Sequence, residues 1–418
     1  MAMKGQKTHP PRTVSSAAMY GSAWLVTAVF ILSNSPTPLY VYWQNRLGFS
    51  TGTLTLIFAF YIAGLLGTLF IAGQLSDRFG RRRVLIPGLV SALLACILFA
   101  GSGSVASLAI ARLLTGIAVG VMVSAGMAAV GDFADNGRRR QAALLASVSM
   151  VLGAGLGPLL AGSVAQISSQ PAHPVFIIGF IVLSSALWVA LRLPYPTPPA
   201  KQIQRMPLRL PRIPRENRPH LTCGILAFGP SITATSFVLS LGPSLLSRLL
   251  HIQNPIIAGG IACAMFLTAT GIQFALRHWN VRRIFFASAG ATILAMVCLI
   301  AAVQYSVAWL LILAALFAGA GQGLGQLGGL TLIGLHVPDN RRAEASAVMN
   351  IGGYIPAGLL PVAAGFLIDS LGLASGATLF ALVVIVAATA GGIFISGLLR
   401  KDSATPDTHS SAVTPENS

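Results

Sequence analysis

Few residues in this chain have types and spacing that could do chemistry. Asp77 is the sole carboxylate in Gly73-Gln74-Leu75-Ser76-Asp77-Arg78-Phe79-Gly80-Arg81-Arg82-Arg83, a short hydrophilic break between two apolar runs. Arg112 stands inside an apolar run, in Arg112-Leu113-Leu114-Thr115-Gly116-Ile117-Ala118-Val119-Gly120. A guanidinium at such a position costs roughly 2.5–3.5 kcal/mol or more in lipid, which makes it a functional candidate by default. Asp132 closes the same run and is the best placed of the remaining titratable groups, because all ten acidic residues lie outside the centres of the apolar runs. Patterns for bond-making chemistry are missing. There is no Gly-x-x-x-x-Gly-Lys-Ser/Thr phosphate loop and no Ser-His-Asp or metal-hydrolase pattern, and the seven histidines are scattered. Cys96, Cys223, Cys263 and Cys298 all fall in apolar runs without metal-ligand spacing. No enzyme active site, cofactor, metal or disulfide is expected. Reversible charge pairing and protonation remain.

The elements that must position these residues follow from composition. The 418 residues are 55% hydrophobic and 9% charged, against about 25% charged for a soluble domain. About 20 apolar residues carry a helix across a hydrocarbon core of ~30 Å, and such runs recur. Backbone groups unsatisfied in lipid demand helices or a closed barrel, and continuous apolar runs rather than alternation select helices. The expectation is an all-α integral membrane protein with spans at 17–38, 51–75, 84–103, 105–131, 141–167, 174–193, 220–247, 252–276, 284–303, 306–336, 343–368 and 374–398. Residues 1–16 followed by the first run have the outline of a signal peptide. No small-x-small cleavage site precedes polar sequence, however, so this run is read as an uncleaved first span.

A formal net charge of +17 raises the question of nucleic acid. The distribution answers it. Every lysine and arginine except Arg46, Arg248 and Arg112 falls in the N-terminal tail, the even-numbered loops (with Arg192 at the edge of one) or the C-terminal tail. The positive-inside rule then predicts a multi-pass inner (plasma) membrane protein with both termini and the central loop cytoplasmic. The partner this implies is lipid rather than nucleic acid, and the working unit expected is a monomer.

The chain also reads as two halves. Residues 194–219 are dense in proline and basic residues, which neither continue a helix nor tolerate burial. They form a linker between bundles at 17–193 and 220–398, flanked by a cytoplasmic tail at 1–16 and a disordered one at 399–418. An offset of 203 superposes Arg138 on Arg341, Pro158 on Pro361, and Gly116 and Gly120 on Gly319 and Gly323, and an offset of 200 places Arg277–Arg283 over Asp77–Arg83. Such parallel duplication is a construction principle of membrane transporters.

The opening segment resembles the signature loop between helices 2 and 3 of the major facilitator superfamily of secondary transporters. That resemblance implies two six-helix bundles related by a pseudo-twofold axis and working by alternating access. In the family the aspartate sits against the N-terminal end of helix 11, whose partial positive charge favours an anion, and pairs with arginines to hold the cytoplasmic side shut. The implied latch here is Gly73, Asp77, Gly80 and Arg81 with Arg341 or one of Arg138–Arg140, Arg138 foremost; Arg82 and Arg83 are read as fixing topology. The second copy, Arg277-His278-Trp279-Asn280-Val281-Arg282-Arg283, has lost the carboxylate.

Two further segments are similar to elements of the drug:proton antiporter branch. Arg112 with Gly116 resembles its Arg-x-x-x-Gly element, in which the arginine is implicated in proton transfer. The residue by itself leaves open a structural arginine bonded to carbonyls, or one snorkelling to the membrane edge. Gly153-Ala154-Gly155-Leu156-Gly157-Pro158-Leu159-Leu160-Ala161-Gly162 resembles the antiporter signature of helix 5, with Ala161 where a second glycine is usual. Its glycines permit close packing against helix 8, and Pro158 bends the helix and frees carbonyls.

A substrate site is expected near mid-membrane between the halves. Candidates are Asn34 and Tyr40 around Pro36 and Pro38, Tyr61, Gln322, Gln326, Asn350 and Tyr354, with Thr233, Thr235, Ser236, Thr268, Thr270 and Gln273 behind them. The absence of a membrane-embedded acid disfavours strongly cationic substrates and leaves neutral lipophilic, phenolic, anionic or sugar-like ones. The expectation is proton-antiport export of a small organic compound. Import of a small metabolite by symport or facilitation, or a transporter-like sensor without turnover, are the rivals.

Overall fold

Apolar runs that cannot satisfy their backbone from lipid have become helices. The structure, a computed structural model, describes residues 16–134, 138–195, 218–249, 251, 254–338 and 341–404. Among them are twelve helices long and apolar enough to cross a membrane: α1 Ser16–Leu47, α2 Thr51–Phe79, α3 Arg81–Ala100, α4 Val105–Asp132, α5 Arg139–Ile167, α6 Ala172–Arg192, α7 Arg218–Arg248, α8 Pro255–Leu276, α9 Val281–Tyr305, α10 Ala308–His336, α11 Glu344–Leu371 and α12 Leu373–Leu398. The tail at 1–15, most of the linker (196–217) and residues 405–418 lie outside the described residues.

Two ends differ from expectation. The first span does not stop at 38. Its α-helix breaks at Asn34, a 3-10 turn covers Thr37–Leu39, and the helix resumes over Tyr40–Leu47. The residues beyond 38 are partly interior, since Tyr40, Trp43 and Gln44 are buried. The last helix runs to Ala404, into the stretch read as a disordered tail.

The turn between α2 and α3 is a single residue, Gly80, at φ 92°. A side chain is strained there, which explains the glycine in the basic signature.

The duplication read in sequence is visible in packing. In the first half α4 packs on α2 and α3, α1 on α5 and α6, and α3 on α6; in the second, α10 packs on α8 and α9, α7 on α11 and α12, and α9 on α12. The glycines aligned by the 203 offset do the same work. A Cβ on Gly116 would collide with the Tyr61 carbonyl on α2, and one on its counterpart Gly319 with the Met265 carbonyl on α8. Across the halves, α2 packs on α11 and α5 on α8.

Candidate functional site

Between the halves lies a cavity of about 480 Å³. It runs from Asn34, Tyr61 and Tyr354 down to Arg140 and Arg277, so it reaches the end that carries the arginine-rich loops, called here the basic end. Its size suits a drug-sized molecule. Asn34, Tyr61, Gln322, Gln326, Asn350 and Tyr354 all line it, as predicted positions brought to one place. Thr235, Ser236, Thr270 and Gln273 join them. The hydroxyls of Thr233 and Thr268 instead donate to the carbonyls of Gly229 and Ala264 on their own helices. Tyr40 does not reach the cavity lining; it is buried behind it.

What buries Tyr40 is Arg112. The guanidinium is fully buried; Nη1 donates to the Ser33 carbonyl at 2.7 Å and Nη2 to the Tyr40 hydroxyl. The first bond uses a carbonyl beside the break in α1. Three rings surround the charge, with centroids 5.1 Å away for Tyr40, 5.6 Å for Phe58 and 5.7 Å for Tyr61. Cation–π attraction is worth ~2 kcal/mol or more when the cation is desolvated, so the rings and two acceptors offset much of the cost of burial. No carboxylate takes part in these bonds, and Nε has no hydrogen-bond partner. Arg112 is therefore neither snorkelling nor salt-bridged.

The far end of the cavity is shut by contacts between the halves. Asp369, at the end of α11, accepts from the Thr51 N–H at 2.9 Å and the Gly52 N–H at 2.7 Å, the first amides of α2. A carboxylate on unsatisfied N-terminal amides gains from charge-assisted bonds and from the helix dipole. Ser244 donates to Gln44 at 2.9 Å across the same end. Along α2 and α11, Gly52 faces the Phe366 ring and Gly358 faces Ile62. Sequence reasoning assigned Asp369 no role. Its partner is backbone more than 300 positions away, and the one available signal was a lone carboxylate at the far end of the second half.

At the basic end Arg81 bridges two carboxylates, Asp77 and Asp132, each at 2.7 Å, and donates to Ser76. Asp77, expected in the latch, and Asp132, expected to carry the proton, thus share one arginine within the first half. Arg138, expected in the latch, donates instead to Ser16 at the start of α1. Arg341 caps the N-terminus of α11 with the same irregular backbone that Arg138 gives α5. Gly73 leaves space beside Ser124 on α4 rather than a tight contact. Beyond α6, burial against Phe133 pushes the Tyr195 phenol up, Arg82 opposing, so it stays protonated near neutrality.

The helix-5 glycines face two ways. Gly153 and Gly157 press on α1 at Thr27, Phe30 and Ile31, while Gly162 meets Pro255 on α8 and Gly259 of α8 meets the Pro158 carbonyl. Sequence reasoning had placed this packing on α8 alone. The element joins both the broken first helix and the opposite half.

Comparison with known proteins adds the following. The family model described as Major Facilitator Superfamily matches residues 23–277 and 264–416. The chloramphenicol resistance protein CraA of Acinetobacter baumannii is 29% identical over 171 residues, 41% of this chain and 40% of that one. The multidrug resistance protein MdtL of Shewanella oneidensis is 35% identical over 95 residues, 23% of this chain and 24% of that one. The chain thus aligns with less than half the length of these curated relatives. Among solved structures, a bacterial homologue of the human lysosomal transporter Spinster, inward-facing and unoccupied, superposes with TM-score 0.73 at 16% identity over 95% of this chain and all of that one. A POT family transporter in complex with 5-aminolevulinic acid gives 0.73 at 15% identity over 96% and 98%. At these identities the likeness is one of fold.

Proposed function

The chain belongs to the major facilitator superfamily, and from that membership we propose that it exports a small organic compound through the inner membrane by proton antiport. The observation that carries the reading is the cavity between the halves, reaching the basic end and shut at the other. The basic end is taken as cytoplasmic, following the placement of positive charge. A substrate then enters from the cytoplasm, and the reverse rocking motion releases it outside. The partial matches to the resistance proteins CraA and MdtL support export over import, as does the Gly-Pro element of α5 at the contact with α8.

In this reading Arg81 couples protons to the motion. It holds Asp77 and Asp132 together; protonation of either carboxylate removes one of its two ion pairs and frees the cluster to rearrange. Asp77 then becomes available to the N-terminal amides of α11, as Asp369 is already bound to those of α2.

Inverted membrane vesicles test this. A lumen-acid gradient should drive accumulation of a transported compound, a protonophore should abolish it, and Asp77→Asn should reduce it at least tenfold at equal protein level. Accumulation that persists without a gradient, or runs only in right-side-out vesicles, would favour facilitated import.

A further inference from the structure

We infer that the cavity selects an amphipathic organic anion. This rests on the transporter reading above and names the class of compound the site takes. Three observations carry it. First, among the described residues that line the cavity none is an aspartate or glutamate, whereas Arg140 from the first half and Arg277 from the second both line it. A cleft lined by charge of one sign with low-dielectric walls concentrates ions of the other sign. Second, the buried Arg112 charge lies directly behind two rings of the wall, Phe58 and Tyr61, and is bonded only to neutral acceptors. With no carboxylate to cancel it, its field extends through those rings into the cavity. A cation seated against Tyr61 would be repelled at close range in a poorly screened site; an anion would be held. Third, the upper cavity offers amide groups from Gln322, Gln326 and Asn350 among apolar side chains such as Phe30 and Phe266. Amide N–H groups can bond an anionic oxygen while the apolar walls cover an aromatic or aliphatic body.

The same chemistry explains why no acid is embedded at the cavity centre. A site that exchanges a proton for a cation needs a carboxylate both can occupy. An anion needs none, and an inside-negative potential itself drives its export. Protons can then enter through the separate Arg81 cluster.

A matched series tests the inference: naphthoxyacetate, naphthoxyacetamide and naphthoxyethylammonium share one apolar body and differ in charge. Binding of each to the purified full-length protein is measured by equilibrium dialysis at low salt, without any gradient. The acetate should bind at least tenfold more tightly than the amide, and the ammonium most weakly. Arg140→Gln and Arg277→Gln, both on exposed side chains, should narrow the preference for acetate over amide several-fold while leaving the melting temperature at the wild-type value. Equal binding of acetate and amide, tighter binding of the ammonium, or no binding by any of the three would overturn the assignment. Failure of proton coupling in vesicles with acetate binding intact would instead remove the antiport mechanism and leave the substrate class standing.

Discussion

At Arg112 a full charge is buried with neutral acceptors and aromatic faces alone. Those partners are suited to the flat, delocalised guanidinium, and a lysine ammonium replaces neither its fork nor its stacking. Arg112→Lys is therefore expected to insert normally yet lower transport at least tenfold, as vesicle uptake at matched protein level would show. At Arg81 the balance is different, because one cation holds two carboxylates. Arg81→Gln leaves Asp77 and Asp132 in mutual repulsion at the basic end. Adding Asp132→Asn should restore a measurable part of the transport that Arg81→Gln removes, whereas Arg81→Gln with a distant acidic substitution should restore none. Both arginines were legible in the sequence, since a charge in an apolar run and a carboxylate among arginines stand out locally. Their partners were not. Tyr40 and Ser33 lie more than 70 positions from Arg112, and only the fold brings them together.

At the scale of elements, α2 and α11 run antiparallel across the divide between the halves. Each carries one aspartate near its C-terminal end, Asp77 and Asp369. Asp369 now caps α2, and in the proposed cycle Asp77 caps α11 when the cavity opens the other way. A carboxylate at a helix N-terminus contributes about 0.3–1 kcal/mol, up to ~2 when partly buried. Asp369→Asn should thus shift the population several-fold toward the state closed at the basic end. The readout is slower thiol labelling of Gln326→Cys, a cavity position, from that end in a background lacking native cysteines. Helix spacing gives a further expectation. Gly116→Ala drives a methyl into the Tyr61 carbonyl and should lower stability by about 1–3 kcal/mol. Gly67→Ala, which meets open space, should change the melting temperature little. The spans and their repeat were readable because hydropathy and paired glycines are local signals. The continuation of α1 past Pro38 was not, because Gln44 finds its partner Ser244 only in the assembled molecule.

For the whole molecule, the two halves repeat one packing scheme and meet through α2 with α11 and α5 with α8. A shape with matched halves and exchanged contacts has a natural second state, reached by rocking one half against the other. In the proposed cycle, opening at one end and closing at the other are a single event. Distances between spin labels test it directly. One pair, Asn45→Cys with Ser370→Cys, spans the far end; the other, Arg82→Cys with His278→Cys, spans the basic end, and all four sites are exposed. On lowering the pH with a transported compound present, the basic-end distance should shorten as the far-end distance lengthens, with the same fraction of molecules changing in both. Asp369→Asn should produce the same exchange without substrate. Two distances that move independently, or a far end that stays shut under every condition, would contradict the account.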